Sequence, residues 1–203
     1  MLTVFANAGI TDTNDFYAES KSFPPKQPSV LTIDVNLYGT IYSVYLAMHF
    51  FRRNPSGVGS VLICTSSGAG LYSSAPIPVY SAAKHGVVGL VRSLAPRLDQ
   101  EGIKIHAVLP GAVPTNIVDP ASIKDFPKER FTSVKNIVDC VQALLYSTGQ
   151  FADRKTGRVV EVSRENMYHR DQLPFCDQVM ASIMGQLGET ENIKSTGHLS
   201  TKL

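Results

Sequence analysis

Tryptophan is absent from the 203-residue chain, and cysteine occurs only three times, at Cys64, Cys140 and Cys176. The three cysteines are far apart, odd in number and form no Cys-x-x-Cys pair, which argues against a disulfide framework or a cysteine-based zinc site. They are expected to be buried thiols acting as small hydrophobes in a reducing compartment. Charge of either sign is scarce. Lys and Arg number 19 against 17 Asp and Glu, a net of +2, and charged residues make up 18% of the chain. That balance offers no electrostatic footprint for nucleic acid or an anionic membrane. No apolar run approaches the ~20 residues of a membrane span. The opening residues, Met1 to Ala6, have no basic stretch, and their apolar run is too short for a signal peptide. A cytoplasmic location is therefore expected. His49, His106, His169 and His198 show no metal-ligand spacing, and no metal is expected. At 43% hydrophobic content the chain is not disordered, and a chain of this length buries roughly 70% of its unfolded surface as one domain.

The apolar pattern alternates between strands and helices. Leu2 to Ala6 reads as a strand stopped by Asn7-Ala8-Gly9. Residues 10–28 are polar and carry Pro24, Pro25 and Pro28, so they read as a loop. Apolar residues then recur at helical spacing from about Ser29 to Arg53, including Val35, Tyr38, Tyr42, Tyr45, Leu46 and Phe50. Ser60 to Cys64 is a short apolar strand of the kind buried on both faces of a parallel sheet. A Gly/Ser/Pro stretch follows, then a helix over about 79–99 and a strand over 104–109 stopped by Pro110-Gly111. Residues 112–131 read as a loop-rich insertion, Val134 to Tyr146 as a helix and Arg158 to Val162 as a fourth strand. This is an α/β pattern with a parallel sheet of about four strands and flanking helices. Composition shifts after Ser163. The second region, 164–203, is predicted to hold an amphipathic helix over about 174–187 and then a polar tail.

The strongest chemical signal is Tyr80-Ser81-Ala82-Ala83-Lys84. Residues four apart share a helix face, so Tyr80 and Lys84 project together near the start of the 79–99 helix. A phenol with an ordinary pKa of ~10 is a poor base at neutral pH. An adjacent ammonium and the positive end of the helix dipole are expected to pull that value down. Ser66 and Ser67 follow an apolar strand, where open α/β sheets place their ligands. The stretch from Thr65 to Val79 is long enough to loop back beside Tyr80. Asn7 and Pro110-Gly111 follow two other strands, so several turns are expected to converge on one sheet edge. His85 beside Ser67 does not make a hydrolase, because no Gly-x-Ser-x-Gly occurs. Leu71, Tyr72, Pro76, Ile77, Pro78 and the 112–131 loop are expected to shape an apolar substrate pocket.

These motifs, in this order, resemble the short-chain dehydrogenase/reductase family over residues 1–163. Asn7-Ala8-Gly9 matches the family's Asn-Ala-Gly turn, and Asn36 its active-site asparagine. Ser67 stands thirteen residues before Tyr80, the family spacing for the catalytic serine, and Tyr80-x-x-x-Lys84 is the family pair. Pro110-Gly111-Ala112-Val113-Pro114-Thr115 matches the Pro-Gly-x-x-x-Thr stretch. Residues 78–89 are similar to those of the 15-hydroxyprostaglandin dehydrogenase-like group. The resemblance implies a Rossmann-type fold and hydride exchange between NAD or NADP, with NAD favoured, and a secondary alcohol or carbonyl. It implies that Tyr80 moves the proton, Lys84 lowers its pKa and holds the nicotinamide ribose, Ser67 orients the substrate oxygen, and Asn36 holds a water. Asn7, Ala8 and Gly9 would line the adenosine side, and Pro110, Gly111, Val113 and Thr115 the carboxamide and pyrophosphate region. Homo-oligomerisation through helices 35–53 and 79–99 is implied as well. The family's opening strand and glycine-rich turn do not precede Asn7. The resemblance therefore reads as an N-terminally truncated plan, and the alternative function is a non-catalytic remnant acting as an interaction or regulatory partner.

Overall fold

The computed structural model describes residues 2–54, 59–117, 124 and 126–189, the side chains of 186–189 excepted. Five strands form one sheet in the order β1-β2-β3-β4-β5: Thr3–Ala6, Val61–Thr65, Lys104–Pro110, Val159–Ser163 and Asn166–His169. The first four are parallel, and β5 returns antiparallel to β4. The register sets Ala6 opposite Cys64, Thr65 opposite Val108 and Pro110 opposite Val162. The turns after β1, β2 and β3 therefore emerge side by side at the carboxyl edge.

The sequence led to four strands because Asn166–His169 is polar and lacks β-branched residues. Tertiary contacts form the fifth. Arg164 takes a left-handed φ of 54° at the hairpin turn, and Arg170 just past β5 pairs with Glu161 on β4 at 2.6 Å. The first compact unit includes this hairpin and runs to Asp171.

Helix α1 covers residues 31–51. It opens with α-helical Leu31–Ile33, widens to a π segment over Asp34–Tyr38, and resumes as α over Gly39–Phe51. Helix α2 is Pro78–Gln100, with proline at its first position, where the missing N–H costs nothing. Helix α3 is Val134–Tyr146; its Ser133 side chain accepts from the Asn136 N–H at 3.1 Å, and Ser147 ends it in the left-handed region. One face of the sheet packs Leu62, Ile105 and Leu109 against Val44 and Phe51 of α1 and Val87, Val91 and Leu98 of α2. The other packs Ile63, Val108 and Val160 under Cys140 and Leu144 of α3. Fully burying one such side chain is worth about 1.5–3 kcal/mol, so the two layers fix the strands and with them the turns at their ends.

The second unit, Gln172–Leu203, contains helix α4, Gln178–Glu189. It starts four residues later than the 174–187 span the periodicity predicts. Asp177 Oδ1 accepts from the Met180 N–H at 2.7 Å, so Asp177 sets the start. Residues 190–203 lie outside the described part, as do 118–123 and 125 of the expected insertion. No described helix is long and apolar enough to cross a membrane. No cluster of three or more potential metal ligands occurs among the described residues.

Candidate active site

A cleft of about 620 Å³ opens at the carboxyl edge of the sheet. Its walls come from the turns after β1, β2 and β3, the first two turns of α2, and the start of α3. The ladder extends past β2, where the Ser66 N–H donates to the Val108 carbonyl at 2.8 Å. The Ser66 hydroxyl then donates to the Lys84 carbonyl at 2.8 Å, clamping the loop onto α2. Gly70 is required for this fit, because a Cβ there would stand 2.3 Å from Ser66 Oγ and 2.8 Å from the Lys84 carbonyl. The clamp carries Ser67 to the wall bearing Tyr80, where its hydroxyl acts to lower the phenol pKa. Ser67 also accepts from the Ala69 N–H at 3.2 Å, which holds its rotamer.

Lys84 is 2% exposed. Its Nζ donates to the Thr65 carbonyl at 3.0 Å and lies 5.5 Å from the centre of the Tyr80 ring. Burial is the main cause that brings its pKa from 10.5 down to about 8, and the neighbouring Cys64 opposes it. The Tyr80 phenol moves the other way. Burial raises its pKa, and the hydrogen bond with Ser67 lowers it by less. The expected depression by Lys84 is not found. Desolvation of the phenol dominates, and the ammonium sits over the ring with its bond directed to Thr65.

Asn36 lies in the π segment and is wholly buried. Its Oδ1 accepts from the Ile10 N–H and its Nδ2 donates to the Ile10 carbonyl, both at 2.8 Å. Gly9 passes so close that a Cβ on it would meet Asn36 Oδ1 at 3.1 Å and Lys84 Nζ at 3.4 Å. Asn7 Oδ1 accepts from the Thr65 hydroxyl at 2.7 Å, tying the first two turns together. The third turn is held by the Gly111 N–H donating to the Val162 carbonyl at 2.9 Å and the Thr132 N–H donating to the Ala112 carbonyl at 2.7 Å.

Of the residues singled out in the sequence, Asn7, Gly9, Ser67, Tyr80, Lys84, Pro110, Gly111, Val113 and Thr115 line the cleft. Ala8 points away and is exposed, and Asn36 sits behind the wall. Of the expected mouth residues, Ile77 lines the cleft but Leu71, Tyr72, Pro76 and Pro78 do not. Tyr72 instead donates its hydroxyl to Glu161 at 3.0 Å. Sequence reasoning missed Thr11, Thr65, Val134 and Ile137, which also face the cleft. Thr65 ends β2 and Thr11 follows Ile10, so only the turn positions hinted at them.

Ser67, Tyr80 and Lys84 thus stand together at the carboxyl edge of an open α/β sheet, where such sheets take their ligands. The family model described as short chain dehydrogenase matches residues 2–126. The chain belongs to this short-chain dehydrogenase/reductase family. It is 40% identical over 202 residues to a short-chain dehydrogenase/reductase, prx7, from Penicillium rubens, covering 89% of this chain and 71% of that protein. It is 40% identical over 90 residues to human 15-hydroxyprostaglandin dehydrogenase [NAD(+)], covering 43% of this chain and 34% of that protein. Among solved structures, ElxO with NADP bound superposes with a TM-score of 0.63 at 20% identity, over 79% of this chain and 65% of that one.

Proposed function

We propose that the chain acts in an NAD(P)-dependent oxidoreductase interconverting a secondary alcohol and a ketone or aldehyde. The observation that carries the reading is the grouping of Ser67, Tyr80 and Lys84 on one wall of a cleft at the carboxyl edge of parallel strands. The residues present fit the nicotinamide-ribose half of the coenzyme. Gly9 leaves a backbone surface beside the Lys84 ammonium, and Thr115 and the backbone near Val113 offer polar groups across the cleft. The bound coenzyme would supply or accept the hydride.

In carbonyl reduction Tyr80 hands its proton to the substrate oxygen, and in alcohol oxidation it takes one. Ser67 holds that oxygen against the phenol. Lys84 presents its ammonium to the ribose hydroxyls. The Asn36 side chain fixes the Gly9–Ile10 turn through Ile10, and in this reading Asn36 also holds a water on the proton path. Ile77, Val113, Ile117, Val134 and Ile137 give the cleft an apolar side, which suits an apolar alcohol or ketone. NAD is the favoured coenzyme on the similarity of residues 78–89 to the 15-hydroxyprostaglandin dehydrogenase-like group, and NADP is the competitor. Cys64 and Cys140 are buried free thiols as expected, whereas Cys176 is exposed; the free thiols suit a reducing, cytoplasmic setting.

Two measurements test the site. NADH or NADPH at millimolar concentration should raise the melting temperature, and a lack of response to both overturns the reading. Tyr80→Phe should keep the coenzyme shift and lose about 10²–10⁴ of turnover. Because burial raises the phenol pKa, reduction should run at neutral pH and alcohol oxidation should climb as the pH turns alkaline.

The exposed stripe Tyr38, Tyr42, Tyr45, Leu46 and Phe50 on α1 supports the reading that a second copy docks there, with α2 alongside. Light scattering should give a dimer or tetramer that Tyr45→Arg dissociates, and a monomeric wild type refutes it.

A further inference from the structure

Helix α2, which carries Tyr80 and Lys84, starts without a capping side chain of its own. Its N-cap residue is Ile77, which has no oxygen to offer. Pro78 has no N–H, so Val79 is the first donor of the helix that needs an acceptor. That acceptor comes from 67 residues away: the Val79 N–H donates to Asp12 Oδ2 at 3.1 Å.

Asp12 is itself pinned from the other side. Its neighbours Ile10 and Thr11 are tied to α1, Ile10 through both amide atoms of Asn36 at 2.8 Å, Thr11 through its carbonyl accepting from the Thr32 hydroxyl at 3.3 Å. Asn36 and Thr32 are 0% and 3% exposed. The strap of residues 9–12 thus runs from the turn beside Lys84, across α1, to the first turn of α2. Its last link is one residue before Tyr80. The second carboxylate oxygen, Oδ1, is buried and has no hydrogen-bond partner among the described residues.

We propose that Asp12 is a positioning residue: it caps α2 from the strap and thereby fixes the Tyr80 phenol against Ser67. The cap acts through backbone geometry. A carboxylate accepting at a helix N-terminus also complements the helix dipole, so it holds the turn more firmly than a water does. When it is lost, the first turn of α2 frays, and Tyr80 is the residue whose place depends on that turn. Lys84 is one turn further on and is clamped independently by Ser66 and Thr65. The loss should therefore reach Tyr80 and spare Lys84. The catalytic consequence rests on the redox reading of the cleft. The capping consequence does not.

The test compares the full chain with Asp12→Ala and Asp12→Asn, since the asparagine oxygen keeps the acceptor. Hydrogen exchange should show the amides of residues 79–81 exchanging roughly fivefold to tenfold faster in Asp12→Ala, the effect of losing one cap. Exchange at residues 84–91 should be unchanged, and Asp12→Asn should restore the slow rate. Unchanged exchange at 79–81 in Asp12→Ala, or no recovery in Asp12→Asn, overturns the proposal. The phenolate absorbance of each protein minus that of its Tyr80→Phe partner follows Tyr80 alone. In Asp12→Ala the Tyr80 titration should move down toward that of an exposed tyrosine, and an unmoved titration also overturns the proposal. Where turnover is measurable, Asp12→Ala should lower kcat and leave the coenzyme KM unchanged, and equal kcat would sink the catalytic part. A wild-type chain without turnover defeats the redox reading, while the exchange and titration results still decide the cap.

Discussion

Two buried basic side chains, one on helix α2 and one on strand β3, stand in opposite circumstances. Lys84 lies at the carboxyl edge, with its ammonium bonded to the Thr65 carbonyl and facing a cleft. His106 lies in the amino half of β3, 2% exposed, and neither ring nitrogen has a hydrogen-bond partner among the described residues. Burial shifts both downward, Lys84 to about 8 and His106 to about 3. For His106 the nearby positive charges of Lys104 and Arg158 add to the burial effect. A strong pKa shift therefore does not by itself mark a functional residue. The difference lies in access and in partners. Lys84 keeps a buried charge where a ligand can reach it. His106 stays neutral in a closed layer, where Lys104 is tied to Ser147 at 2.9 Å and Arg158 is paired with Asp153.

The largest effect that sharpens this contrast is expected at His106. Its folded pKa of about 3 lies below the unfolded value of about 6.5. In that window the unfolded chain binds the extra proton, so the His106 contribution is complete above pH 6.5 and is lost as pH falls toward 3. The full loss is on the order of 5 kcal/mol. His106→Leu should remove this slope and also two unpartnered polar atoms, raising stability near neutral pH. Urea unfolding of both proteins between pH 4 and 8 checks it. Parallel slopes would mean that His106 finds a partner in solution.

A smaller effect is expected at Lys84. Its folded pKa of about 8 lies below 10.5, so a charged Lys84 costs stability below pH 8, and the cost fades as pH rises toward 10.5. Lys84→Met should therefore stabilise the unliganded chain at pH 7 by about 1–2 kcal/mol, because the unpaired Thr65 carbonyl offsets part of a ~3 kcal/mol gain. Coenzyme binding should weaken in the same variant. Melting curves at pH 7 and pH 10 should show its advantage shrinking. A Lys84→Met chain less stable than wild type at pH 7 would mean that the lysine serves structure, and the contrast between the two residues would break.

The elements differ in how far the chain alone reveals them. The strands β1 to β4 and helices α1 to α3 were legible from apolar period and from Pro and Gly stops, within a residue or two at most ends. Strand β5 was not legible, because its pairing depends on the Arg164 turn and on Glu161 meeting Arg170. The π segment was hidden too. Its wide turn seats Asn36 against Ile10, and nothing in the apolar spacing records a contact with a turn 26 residues back. At the site, spacing predicted that Tyr80 and Lys84 share a face. It did not show that the lysine bonds the Thr65 carbonyl or that burial raises the phenol pKa.

The order of residues was enough to determine the alternation of strands and helices, the i,i+4 pair and the serine ahead of it. These depend on local periodicities that any helix or strand imposes. The folded chain decided which turns meet, which side chain caps which helix, and which buried base opens onto a cleft. Those outcomes come from contacts between residues dozens of positions apart, and from the loss of water around each group, which no local pattern encodes.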